Sequence, residues 1–537
     1  MKYKLLGNGY TFLARETVLL NREIDESLFT LDKSVIEDYN NYDNINEGVE
    51  LLVQHINNNS NILIVADCDV DGATSFAILY NYLKEEYGDK VNLEFVIHED
   101  KEHGLSKDII IEDHINLVIL PDAGSNDYFQ HKCLKDRGVD VLILDHHDCE
   151  KYSENAIVIN NQLSKNVHNK NLAGVGVTYK FLKALDGYLF NDKADYYLDL
   201  VALGNVADVI LLTEKETRYF VYKGLENVNN TFLKALIDVN SFDLNGKYNI
   251  DKLGWVIAPK LNGTIRSGSH EEKLNMYKAF TSNDYDFCVE MAKKCRNIKA
   301  RQDNAVKSGM KKLRLKINTT KDDRVLIVDA GKLNKSFTGL VAGKLADMYS
   351  LPVLLYRESS NNLIGGSGRG FSNITDTFKE DLLASEYMTM CQGHESAFGW
   401  TCDKNNIDGL RKYLNELYKD KEITNEKTYD VEFELTEDEI DMDFVASLGE
   451  LEDEWGNGLN APLTIFKDIT LALNMDNIKR TNIIFEVGGI KFIKKFATNV
   501  LKEKLIDKFV NVNIIGKCIK DTYNNSFMVE IVDIDFI

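Results

Sequence analysis

Between residues 61 and 160 the chain alternates short apolar runs with longer amphipathic stretches. The runs NILIVAD, VNLEFVI, INLVILPD, VDVLILDHH and AIVINN are too short for helices, and their apolar residues are mostly consecutive rather than alternating. Such runs predict strands buried on both faces. The intervening ATSFAILYNYLKEEYG and NDYFQHKCLKDRG carry apolar residues at helical spacing. That alternation predicts a mostly parallel sheet covered on both sides, continued by helices at GVGVTYKFLKALDGYLF and DYYLDLVALGNVADV. This first α/β unit is expected over residues 56–235. Residues 1–55 read as short helices, and 236–320 as a helical, basic connector. A second α/β unit is expected over 321–425, from DDRVLIVDA through FTGLVAGKLADMYSLPVLLYR to HESAFGWTC. Residues 426–537 are rich in closely spaced strands, which suggest a small OB-like β-barrel, although a sandwich has a similar pattern.

Bulk properties narrow the class. At 537 residues the chain exceeds one core, so several domains are expected. No apolar run reaches the ~18 residues of a membrane span. The opening MKYKLLGNGYTFLARETVLL lacks an apolar stretch followed by a small-residue cleavage site, so no secretory leader is expected. The eight cysteines form no CxxC pair. That is neither a disulfide framework nor a structural zinc site, and it fits a cytoplasmic protein. The net charge of −22 argues against a default nucleic-acid binder, because phosphate neutralisation drives most of that affinity. The charge is segregated, however. Residues 291–324 are strongly basic, while EFELTEDEIDMDF and LGELEDEW collect acids. The basic run is either a solvated helix face or a surface for a polyanion. The acidic stretches serve either partner binding or solubility.

The chemistry gathers where the predicted strands and helices end. DCDVDG supplies Asp67, Asp69 and Asp71; LVILPDAGSND supplies Asp122; VLILDHHDCE supplies Asp145, His146 and His147; LVALGNVADVI supplies Asp208. Singly, an Asp after a strand is often a helix N-cap, and a His pair is often packing. Together they are like charges converging on one sheet edge, which needs a compensating cation. Hard oxygen donors with one or two imidazoles suit Mn²⁺ or Mg²⁺ better than zinc. A site this rich in carboxylates suggests two such ions, an arrangement suited to phosphoester hydrolysis.

In order, DCDVDG, PDAG, LDHHD and LGNVADV resemble the motifs of the DHH phosphoesterase superfamily. NLAGVGVTYKFLKAL and VIAPKLNGTIRSG resemble its RecJ branch of single-strand-specific exonucleases. SFTGLVAGKLADMYSLPVLL, GGSGRGFS and QGHESAFGW resemble the DHHA1 domain, and WGNGLNAPLTIFKD resembles the start of the RecJ OB domain. The resemblance implies a DHH domain with a parallel sheet, a helical connector, a DHHA1 α/β domain and a C-terminal OB-like barrel. It implies Asp69, Asp71, Asp122, His146 and Asp208 as metal ligands, with Asp67 in the same cluster. Asp145 would orient an imidazole, and His147 would touch the scissile phosphate. Asn262, Arg266, Ser367, Arg369 and His394 match substrate-binding segments, the arginines as phosphate forks. DAG stands for the more usual DNG, NGTIR for NAAGR and QGH for GGH, but no metal ligand is lost.

The implied function is 5′-to-3′ hydrolysis of single-stranded DNA to 5′ mononucleotides, in repair, recombination or replication. A helicase or single-strand-binding protein is the expected delivering partner. The basic run would line a channel, and the OB-like end would hold the strand. Two alternatives stand beside it. One is a DHH–DHHA1 phosphodiesterase for short oligonucleotides or cyclic dinucleotides, which needs no C-terminal barrel. The other is a non-catalytic replication or repair scaffold, which would not need the ligands.

Overall fold

The computed structural model describes all residues except 10, 100–101, 107–108, 321, 359–361, 424–426 and 522–523. The chain forms two compact units, one of residues 3–297 with 428–537 and one of residues 298–427. The expected 320/321 and 425/426 boundaries involve residues 321, 425 and 426, which lie outside those described.

The first unit holds a five-stranded, wholly parallel sheet ordered Asn92–Ile97, Asn61–Ala66, Leu117–Pro121, Asp140–Asp145, Ile157–Asn160. In four strands the apolar runs are continuous because each face meets a different core, whereas the edge strand Asn92–Ile97, expected to be buried on both faces, exposes Asn92 and Glu94. Ile62, Ile64 and Ala66 join the core under the helices Ile45–Asn57, Val70–Tyr87 and Gly174–Leu189. Leu63 and Val65 join a second core with Leu105, Val118 and Leu120. In chain order the strands run 2-1-3-4-5, so the winding reverses between Asn61–Ala66 and Leu117–Pro121. Open sheets of this kind bind ligands beyond the carboxyl ends at that reversal.

Residues 433–536 of the same unit form a seven-stranded mixed sheet, ordered Phe433–Thr436, Thr464–Leu473, Lys508–Asp521, Ser526–Phe536, Ile490–Lys494, Asn482–Val487, Ile478–Lys479. Among the described residues no ladder joins its two edge strands, so the strand pairing by itself does not close the sheet into a barrel. The first 55 residues also depart from expectation. A strand, Lys2–Leu5, pairs with Thr428–Val431, and Ala14, Val18 and Leu28 pack into the C-terminal core. Tyr42 and the later helix Ile45–Asn57 belong instead to the parallel-sheet core, with Leu31, Val35, Ile36 and Tyr39 packed against it. Segments far apart in sequence thus share one core, which local periodicity cannot register.

The second unit has a mixed sheet ordered Met388–His394, Ala397–Asp403, Leu363–Arg369, Val353–Glu358, Leu326–Asp329. The helix Thr338–Tyr349 covers one face, and Phe378–Leu383 with Ile407–Leu417 the other. Residues 291–314 of the basic run lie on the helix Tyr285–Arg314. No helix among the described residues is long and apolar enough to cross a membrane.

Candidate active site

Both strands at the reversal end in acid. Asp67 follows Asn61–Ala66, and Asp122 follows Leu117–Pro121. Asp69 is the N-cap of the helix Val70–Tyr87, its carboxylate accepting from the Gly72 N–H at 2.9 Å. Asp71, in that helix's first turn, accepts from the Gly174 and Val175 N–H groups at 2.7 and 2.9 Å. These are orphan donors at the start of the helix Gly174–Leu189, an end that favours negative charge. Asn205 secures the entry to that helix, its side-chain oxygen Oδ1 accepting from the Ala173 N–H at 3.1 Å. A Cβ on Gly174 would lie 2.2 Å from Asp122 Oδ1, so only glycine lets this helix end approach the acids.

Asp122 is the decisive residue. It is 1% exposed and left-handed at φ +71, and neither carboxylate oxygen has a hydrogen-bond partner. His146 Nε2 stands 3.3 Å from Asp122 Oδ1 and 3.8 Å from both Asp71 Oδ2 and Asp208 Oδ2. Asp208 caps the carboxyl end of the helix Leu198–Ala207. Donor atoms of Asp71, His146 and Asp208 lie within 4.8 Å of one another, as do those of Asp67, Asp69 and Asp122.

At an effective dielectric of about 20, two carboxylates about 4 Å apart repel by about 4 kcal/mol. Several such pairs rival the whole stability of a domain, about 5–15 kcal/mol. Protons or cations must therefore offset the charge. Without a cation, burial and the neighbouring Asp67 and Asp71 push Asp69 up to about 6. Burial with Asp71 and Asp69 pushes Asp208 up to about 8. Burial, then Asp71, Asp69 and Asp67, hold Asp122 well above the carboxylate range, while burial depresses His146. Carboxylates facing one another with unused lone pairs and a neutral imidazole form a donor set that fits hard divalent cations.

Asp145 faces a different demand. Burial alone would raise its pKa, but the His147 hydrogen bond, the His147 charge and the Ser125 N–H together hold it well below the usual range. His147 Nδ1 lies 2.8 Å from Asp145 Oδ1, and that bond lifts His147 to about 9. At neutral pH His147 is thus a half-exposed cation fixed in orientation.

His103 belongs here although the sequence did not single it out. Its Nδ1 lies 2.7 Å from Asp67 Oδ2, and that bond raises its pKa to about 11. The Gly104 N–H also approaches Asp67, at 3.3 Å, and Tyr277 donates to the Asp67 carbonyl at 2.6 Å. His103 lies in the loop after the strand Asn92–Ile97. That position beyond a sheet carboxyl end was its one legible signal.

Of the expected substrate contacts, Asn262 and Arg266 lie on the helix Ala258–Ser267, and their side chains make no hydrogen bond or ion pair among the described residues. In the second unit Ser367 and Arg369 alternate on the strand Leu363–Arg369. Ser367 Oγ is 2.9 Å from Thr338 Oγ1 at the amino end of the helix Thr338–Tyr349. A Cβ on Gly339, in that helix's first turn, would lie 2.7 Å from Arg369 Nη2. His394 ends the strand Met388–His394 and is exposed.

Comparison with known proteins agrees with this geometry. Residues 61–205 match the DHH family, N-terminal domain. The chain is 35% identical, over 97% of its length and 96% of the relative's, to a protein of Bacillus subtilis (strain 168) provisionally named an SPbeta prophage-derived single-strand DNA-specific exonuclease. It is 25% identical to the single-stranded-DNA-specific exonuclease RecJ of Haemophilus influenzae, over 82% of this chain and 80% of that one. Among solved structures, RecJ from Thermus thermophilus in complex with Mn²⁺ superposes with a TM-score of 0.78 at 18% identity, covering 97% of this chain and 75% of that one.

Proposed function

The chain belongs to the DHH family of single-strand-DNA-specific exonucleases of RecJ type, and from that membership we propose that it hydrolyses single-stranded DNA from the 5′ end, releasing 5′ mononucleotides. The observation that carries the reading is Asp122, a buried carboxylate neither of whose oxygens has a hydrogen-bond partner, amid Asp69, Asp71, His146 and Asp208. In this reading these five hold two divalent ions, Mn²⁺ or Mg²⁺, with Asp67 steadied beside them by His103. Bound there, such ions lower the pKa of an attacking water and offset charge on the departing oxygen. Asp145 holds the His147 imidazolium, which donates to the scissile phosphate or its leaving 3′ oxygen. Asn262, Arg266, Ser367, Arg369 and His394 grip phosphates and keep the strand end in place. The setting is DNA repair, recombination or replication in the cytoplasm, with a helicase or single-strand-binding protein delivering the strand.

The deciding assay follows Mn²⁺-dependent release of mononucleotides from 5′-labelled single strands by wild type and Asp122→Ala. The variant is expected to lose at least a thousandfold in rate and to bind Mn²⁺ far more weakly. Equal activity in the two proteins would sink the assignment.

A further inference from the structure

The turn after Asp208 has an unusual backbone. Val209, 62% exposed, sits at φ +59, in the left-handed region that β-branched residues avoid. Its N–H and that of Ile210 close the helix Leu198–Ala207 on the Val206 and Asn205 carbonyls, at 3.2 and 3.1 Å. A clamp from the C-terminal region secures the strained residue. The Asn457 side-chain amide donates to the Val209 carbonyl, and the Leu212 N–H donates to the Asn457 carbonyl at 2.9 Å.

Asn457 is itself held in a tight turn. Gly456 and Leu459 exchange both backbone hydrogen bonds, at 2.9 and 3.0 Å, and Gly458 takes the left-handed corner at φ +75. A Cβ on Gly456 would lie 2.4 Å from Leu212 Cδ1, and one on Gly458 would lie 2.9 Å from Leu211 Cδ2. The turn therefore lies flush on residues 209–212 only because both positions are glycine.

We propose that Asn457 is a positioning residue. By locking Val209 it fixes the direction in which the Asp208 carboxylate leaves its helix, so the C-terminal region sets the cation affinity of a cluster built from the parallel-sheet domain. The inference rests on the reading of that cluster as a divalent-cation site.

Mn²⁺ uptake by the full chain, followed by the loss of the free-ion EPR signal, tests it without reference to activity. Asn457→Ala is expected to weaken Mn²⁺ binding about tenfold, the scale seen when residues orienting metal ligands are changed. Asparagine tolerates the left-handed region unaided, so in a Val209→Asn background the same substitution is expected to cost clearly less. Should Asn457→Ala fail to fold, Asn457→Asp, isosteric but without the amide donor, replaces it with the same expectation. Unchanged Mn²⁺ affinity in the variant, or equal losses in both backgrounds, overturns the inference alone. Wild type that takes up no Mn²⁺ overturns the metal-site reading and the inference with it.

Discussion

Asp69, Asp122 and Asp208 share a residue type and a place where an element starts or ends, yet they do different things. Asp69 spends one oxygen capping a helix. Asp122 spends none, and Asp208 stands at a helix carboxyl end, where a cap of the N-terminal kind is geometrically impossible. The N-cap alternative thus applies to one of the three. Their pKa values give a test. Asp208 rises to about 8 and Asp69 to about 6 from an ordinary 3.8, by burial and mutual repulsion. A carboxyl raised in the folded state contributes stability fully present below pH 3.8 and lost as pH rises through its folded value. The metal-free protein should therefore lose thermal stability between about pH 4 and pH 8. Cation binding must expel these protons. Mn²⁺ is thus expected to bind more tightly at pH 8 than at pH 6, with proton release detectable by calorimetry in buffers of different ionisation enthalpy, and to raise the melting temperature more at pH 8. A pH-independent Mn²⁺ affinity would contradict the coupled acidic site. The pairing of His103 with Asp67 was not legible, because a loop carries no periodic signal and the two residues meet only through the sheet.

At the scale of elements, the acidic strap 452–454 corrects the expectation that such segments serve outside partners or solubility. Glu452 pairs with Lys247 at 2.5 Å, Asp453 accepts from Asn249 at 2.6 Å, and Glu454 accepts from Arg218 at 2.6 Å. Arg218, 1% exposed, also donates to the Leu28 carbonyl and lies over the Phe29 ring. The strap therefore fastens the C-terminal region onto the helix Lys215–Glu226 and the segment 247–249. A buried arginine shared by three segments is costly to remove, because its partners stay behind unpaired. Arg218→Ala is expected to lower unfolding free energy by about 3 kcal/mol, read as a drop in the urea midpoint by circular dichroism. A change under about 0.5 kcal/mol, the usual range for a surface substitution, would show that the strap merely lies on the surface. The strands of the parallel sheet were legible because continuous apolar runs have one stable use, burial on both faces. The partition of the first 55 residues between two cores was not, since each piece is amphipathic whichever core it meets.

For the whole molecule, net charge and local charge point in opposite directions. The chain carries −22 overall, while the helix Tyr285–Arg314 gathers lysines and arginines. Some are engaged: Lys294 pairs with Glu290, Lys299 with Asp303, and Arg296 donates to the Val239 carbonyl. If the remaining cations neutralise phosphates, single-strand affinity should fall steeply with salt, by an order of magnitude or more between about 50 and 200 mM. Fluorescence anisotropy of a labelled oligonucleotide measures it, and a flat response would exclude phosphate contacts as the main source of affinity. The amino-acid order by itself determined the parallel sheet, the strand ends that bear acid and the list of candidate ligands, because these depend on short-range hydrophobic pattern and on residue type. Only the tertiary structure decided which carboxylates stay unpartnered, that His103 stands against Asp67, that the acidic strap is an internal clamp, and that Asn457 reaches the turn after Asp208. Each of those depends on contacts between residues remote in sequence, where burial and the geometry of the other partner set the chemistry.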